Sequence, residues 1–155
     1  MLRSVIGFLL ALVPAVAVAY ALASVLATQV ILARIEGMGL PITLRDRLQA
    51  TGHDLLGLLP TYAPLLLVAF LLAMPVAAWL SRRLRNQGSP LFVLAGFAAV
   101  LVLHLLLKQV LGLNGVAAVR DLHGLLSQAV AGAFGGYLFF VLTGRVHRKW
   151  PRAAH

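Results

Sequence analysis

Four long apolar blocks, separated by short polar or basic stretches, organise this chain. The first covers 5–32 and is interrupted only by Pro14, Ser24, Thr28, Gln29 and small residues. As a helix it would extend roughly 42 Å, against a hydrocarbon layer about 30 Å thick. The excess predicts tilt, a bend at Pro14, or a last turn rising out of the membrane. A cleaved signal peptide is the rival reading. Arg3 gives a basic start, and Ala15-Val16-Ala17 and Ala21-Leu22-Ala23 resemble small-residue cleavage sites. The apolar run continues past both sites without a change of character, which favours an uncleaved span.

The stretch from Arg34 to Thr61 is the longest connection and the least apolar. Gly37, Gly39 and Pro41 end the first helix. Thr43 can then cap a new helix, with Asp46 three residues on. Leu44, Leu48, Leu55, Leu58 and Leu59 recur at helical spacing, with Arg45, Arg47, Gln49, His53 and Asp54 between them. This pattern predicts an amphipathic helix over about 44–59, lying at the membrane interface. Pro60 and Pro64 mark the turn into a second span over about 62–80, which contains Pro75. Tyr62 and Trp79, at opposite ends of that span, read as interfacial aromatic anchors. A short hairpin carrying Arg82, Arg83 and Arg85 leads to a third span over about 91–107. The segment 110–121 is softer, and the sequence leaves open whether it is re-entrant or interfacial. The fourth span covers about 122–142, before a basic tail. The whole chain, 1–155, therefore reads as one all-α integral membrane four-helix bundle, with an interfacial amphipathic helix in its first outer loop.

Composition sharpens this picture. The chain is 61% hydrophobic and 11% charged, with a mean hydropathy of +0.96, whereas soluble domains carry about 25% charged residues. A soluble globular domain, a disordered tail and a nucleic-acid-binding module are excluded as first readings. The net charge of +9 is topological rather than a nucleic-acid signature. With the amino terminus in the cytoplasm, eight of the 13 Lys and Arg residues fall inside: Arg3, Arg82, Arg83, Arg85, Arg145, Arg148, Lys149 and Arg152. All four acids, Glu36, Asp46, Asp54 and Asp121, fall outside. The bias predicts a multi-pass protein of a bacterial inner membrane with both termini cytoplasmic. Its basic inner rim would attract anionic lipids. The chain has no cysteine, which removes disulfides and thiolate metal sites.

Candidate chemistry collects near the outer leaflet. His104 and Lys108 share a face of the third span, and Arg120, Gly124 and Gln128 form a stripe leading into the fourth. Asp54 and Asp121 lie on the same side. One reading is interhelical polar glue, with Arg120 paired to Asp54 or Asp121 and His104 hydrogen-bonded to Gln128. The other is a pocket for a headgroup, quinone or ion. In it Arg120 and Lys108 would hold an anionic or carbonyl group, and His104 and Gln128 would hydrogen-bond. Gly124, Gly132, Gly135 and Gly136 supply small packing positions, including a GxxxG pattern, for the bundle itself, a homodimer or a larger complex.

No span carries an acidic residue at mid-membrane, which disfavours a proton-coupled exporter. His104 with His123 could hold one haem, but no span offers the paired histidines of a two-haem bundle. No metal site, cofactor site or catalytic constellation is expected. The leading expectation is a non-enzymatic accessory, scaffold or assembly subunit that packs through its glycine-rich fourth span. The alternative is a carrier or channel for a small or lipidic ligand using the outer-leaflet polar cluster.

Overall fold

A computed structural model describes residues 2–84, 88–111, 119 and 122–149, and the described residues are almost entirely helical. Helix α1 covers Leu2–Gly37, α2 Leu44–Gly57, α3 Leu59–Arg83, α4 Gly88–Leu111 and α5 Leu122–Lys149. Four of them, α1, α3, α4 and α5, have the length and apolarity to cross a membrane. The chain is thus an all-helical bundle of the multi-pass membrane class.

The helices outrun the apolar blocks, because hydropathy marks where lipid could lie and not where hydrogen bonding stops. Helix α1 continues through Pro14 and ends only where Gly39, at a positive φ of 87°, turns the chain. Helix α2 starts at the foreseen cap. The Asp46 N–H donates to the Thr43 hydroxyl, and the Thr43 N–H and hydroxyl both donate to the Asp46 carboxylate. The turn into α3 falls at Leu58 and not at the prolines. Pro60 sits in the first turn of α3, where its missing N–H has no intrahelical partner to lose, and Pro64 lies inside the helix. Helices α2 and α3 are therefore almost continuous, bent at one residue.

Each crossing helix buries a stripe of four-residue spacing. On α1 it is Ala11, Ala15, Ala19, Ala23 and Ala27; on α3 it is Tyr62, Leu66, Phe70 and Met74. On α4 it is Phe92, Gly96, Val100 and His104, and on α5 Gly124, Gln128, Gly132 and Gly136. Helix α5 packs on α1 and α4, and α3 packs on the same two, so the cyclic order is α1–α5–α4–α3. Adjacent helices run antiparallel. Lipid tails are as apolar as leucine, so these contacts rest on close approach, for which alanine and glycine leave room. A methyl group on Gly96 would strike the Gly132 carbonyl, and one on Gly136 the Phe92 carbonyl. Gly135 turns the other way, against Ala15, Ala19 and Phe70. Phe8, Phe92, Phe139 and Phe140 close the basic end with ring centroids 5.3–5.8 Å apart.

Helix α1 has 36 residues, about 54 Å, roughly 24 Å more than the hydrocarbon layer. Helix α2 lies along that excess. Its contacts run in opposite order to those of α1: Arg47 with Glu36, Thr51 with Gln29, Asp54 with Thr28, then Leu55 with Tyr20. The amphipathic helix is present and stands against α1 through its polar face, because that face finds its partners there.

Candidate functional site

The polar residues of the α2 end form two linked groups. The inner one is centred on Tyr62, at the start of α3. Its hydroxyl donates to Gln128 Oε1 at 3.2 Å and lies 3.4 Å from His104 Nε2. Gln128 Nε2 in turn donates to the Ala23 carbonyl at 2.9 Å, tying α5 to α1. His104 Nδ1 lies 2.9 Å from the Val100 carbonyl. A carbonyl only accepts, so Nδ1 carries the ring proton and neutral His104 presents a lone pair at Nε2. The single Tyr62 proton then faces two acceptors. A second proton on His104 would give every contact one direction, His104 to Tyr62 to Gln128 to the Ala23 carbonyl. The His104 and Tyr62 rings pack edge to face, centroids 5.6 Å apart.

This layer is sealed. Gln128 is 0% exposed, His104 3% and Tyr62 4%, so no water-sized space touches Gln128. It sits about 9 Å below the ends of the apolar stretches of α4 and α5, counting six residues from Val110 and from Leu122. Next to it, the Tyr20 hydroxyl donates to the Leu55 carbonyl at 2.6 Å. Ser24 Oγ adjoins that hydroxyl, buried and without a completed hydrogen bond.

The second group locks α2 onto α1. The Thr28 hydroxyl lies 2.8 Å from Asp54 Oδ2 and 3.0 Å from the Ser24 carbonyl, sharing its hydrogen between them. Gln29 donates to Thr51 at 3.2 Å, and Arg47 donates to Gln29 at 2.9 Å and to Glu36 at 2.6 Å. The last pair is half-exposed and adds little to stability on its own. The part-buried Thr28–Asp54 contact holds the helices in register.

Of the residues singled out from sequence, Gln128 and His104 do meet in one layer, through Tyr62 and not directly. Asp54 belongs to the α1–α2 lock, and its partner is Thr28. Lys108 is exposed and makes no hydrogen bond or ion pair among the described residues, so it does not join His104. Arg120 and Asp121, with most of the 110–121 connection, lie outside the described residues. His123 is exposed while both His104 nitrogens are occupied inside the bundle, so the two do not converge as an axial pair. Gly132 and Gly136 face α4, Gly135 faces α1, and Gly124 is buried, its carbonyl accepting from Ser127 at 2.7 Å.

Sequence reasoning placed Tyr62 at the interface, whereas the structure buries it as the hub. The signal was its position on the stripe Tyr62, Leu66, Phe70, Met74, which points a start-of-helix tyrosine inward. Tyr20, Thr28, Gln29 and Thr51 were also missed. Comparison of the chain with protein-family models, with characterised proteins and with solved structures gives no match.

Proposed function

We propose that this protein is a small non-enzymatic accessory or assembly subunit of a bacterial inner membrane, both termini in the cytoplasm, and that α2 is the surface it offers a partner. The observation that carries the reading is the state of α2. It has no buried residue, and Leu44, Leu48 and Leu56 are 73, 67 and 74% exposed, although its polar face is fixed to α1. Tyr62 lies about 9 Å below the ends of the apolar stretches of α4 and α5. Leu48 and Leu44 precede it by about 14 and 18 residues, roughly 21 and 27 Å of helix. Helix α2 continues beyond Tyr62, which carries Leu44 and Leu48 past the acyl chains. Leucines displayed there on a held helix suit a second protein.

The glycine-rich face of α5 is a weaker candidate for docking, since Gly132, Gly135 and Gly136 already lie against α4 and α1. The alternative, a carrier or channel built on the polar cluster, is disfavoured by the sealing of Gln128, His104 and Tyr62. The orientation rests on the positive-inside bias.

Photocrosslinking tests the reading. A benzophenone amino acid at Leu48 or Leu56 should give a discrete protein adduct in cells, while one at the exposed Leu72 of α3 should give none. Identical products at all three positions, or none at α2, would overturn it. The cysteine-free chain also permits Gln49→Cys, which an impermeant maleimide should label from the periplasmic side only.

A further inference from the structure

The end of the molecule opposite α2 holds a cleft that the proposed function leaves unused. It lies between the beginning of α1 and the end of α3, has a volume of about 300 Å³, and is lined by Val5, Phe8, Pro75, Ala78 and Arg82. Pro75, Ala78 and Arg82 recur at i, i+3 and i+7, so they follow one face of α3 over about 10 Å. Ala78 leaves the gap open, while its neighbour Trp79 points away and is exposed. The volume is enough for about ten groups of water or methylene size. The lining changes along the cleft, apolar at Val5, Phe8, Pro75 and Ala78 and cationic at Arg82.

Arg82 makes no hydrogen bond or ion pair among the described residues. Arg83 beside it lies over the Trp79 ring at 5.8 Å. The described acids are at the other end, Glu36 on Arg47, Asp46 at the α2 cap and Asp54 on Thr28. The guanidinium at the mouth therefore has no counterion among the described residues. A guanidinium matches phosphate with two parallel hydrogen bonds, and an apolar channel beneath it matches an acyl chain.

We propose that the α1–α3 cleft binds one anionic phospholipid, its acyl chain along Val5, Phe8, Pro75 and Ala78 and its phosphate on Arg82. The unneutralised charge of Arg82 favours an anionic headgroup over one that carries its own positive charge. The site needs only that the bundle sits in a bilayer with this end at one surface, and it does not depend on α2 having a partner.

Native mass spectrometry of the full-length protein, delipidated and then given equal amounts of phosphatidylglycerol and phosphatidylcholine of the same chain length, tests it. The protein should retain one phosphatidylglycerol in preference. Arg82→Ala should lower that retention at least about tenfold, since it removes both charge-assisted hydrogen bonds to the phosphate. Ala78→Phe, which fills the cleft without changing charge, should also lose the lipid, with Ala78→Leu as the substitute if the larger ring impairs folding. Arg83→Ala should retain most of it. Equal losses in R82A and R83A would assign binding to diffuse rim charge, and a folded Ala78 variant that keeps the lipid would leave the cleft no role. Either result overturns the proposal, as does equal retention of the two lipids by the wild type.

Discussion

Helices α4 and α5 are joined in two different ways a few turns apart. Around Gly96, Gly132 and Gly136 they meet backbone to backbone, with only the Val100 side chain set against Gly132. Nearer the α2 end they are joined through a third helix, by the hydroxyl of Tyr62 placed between His104 and Gln128. The first contact depends on volume and is indifferent to polarity. The second depends on donors and acceptors and has room for its own side chains. A dry seam therefore fails when an atom is added, and a polar layer when an atom is removed.

The sharpest way to break the seam is Gly132→Val. The added carbons would meet the Gly96 carbonyl and Val100, and backbone cannot swing aside as a side-chain tip can. A loss of about 3 kcal/mol, at the upper end for overpacking, is expected, read as an earlier transition on denaturation in mixed micelles. The comparison within α5 is Gly144→Val. Nothing lies within 4 Å of the position a methyl group would take there, so that variant should unfold with the wild type. If the two valines behave alike, the close approach is not what holds α5 to α4.

Removing one oxygen tests the other layer. Tyr62→Phe keeps the ring against His104 and leaves Gln128 Oε1 and His104 Nε2 without their shared partner. Hydrogen bonds between membrane helices average about 0.6 kcal/mol, with maxima near 1.7, so a loss of about 1 kcal/mol is expected in the same denaturation assay. Combined with Gln128→Leu, the phenylalanine should cost less than it does alone, because the leucine has already removed the oxygen that accepts from it. Strict additivity of the two would mean that Tyr62 and Gln128 do not share a hydrogen bond.

The seam was far more legible in the sequence than the layer. Glycines four apart on one apolar helix announce a close approach, and Gly132 and Gly136 make one. The alanines from Ala11 to Ala27 carry the same message on α1, in a strict repeat of four, and were passed over because alanine is ordinary in an apolar run. What neither stripe reveals is which helix meets which, since small residues fit any neighbour. The polar layer needed that missing information. The sequence pairs Gln128 with His104 directly, but the atom joining them belongs to Tyr62, on a helix whose register only the fold supplies. Asp54 likewise pairs with Thr28 across 26 residues of chain. The four-helix count, by contrast, follows from apolar length alone, because hydrocarbon admits no unpaired backbone.

The smallest effect expected lies at the water-exposed start of α2, where the polar mode of joining can be examined without burial. The Thr43 hydroxyl donates to Asp46 at 2.6 Å and the Thr43 N–H at 2.9 Å. These two hydrogen bonds, the side-chain one foremost, hold the Asp46 carboxyl below the usual carboxylate range. A carboxyl with a lower pKa when folded stabilises the fold wherever it is ionised in both states. Its contribution is thus complete above about pH 4, the ordinary aspartate value, and fades as pH falls through the depressed one. Amide hydrogen exchange in the first turn of α2 should therefore show less protection, after correction for the intrinsic rate, as pH drops below about 4, while α5 keeps its own. Asp46→Asn should lack this change, being unable to titrate. A wild-type first turn whose corrected protection stays flat through that range would mean that the cap does not depend on the ionised carboxylate. Helix α2 would then owe its start to the Thr43 hydroxyl and its packing on α1 alone.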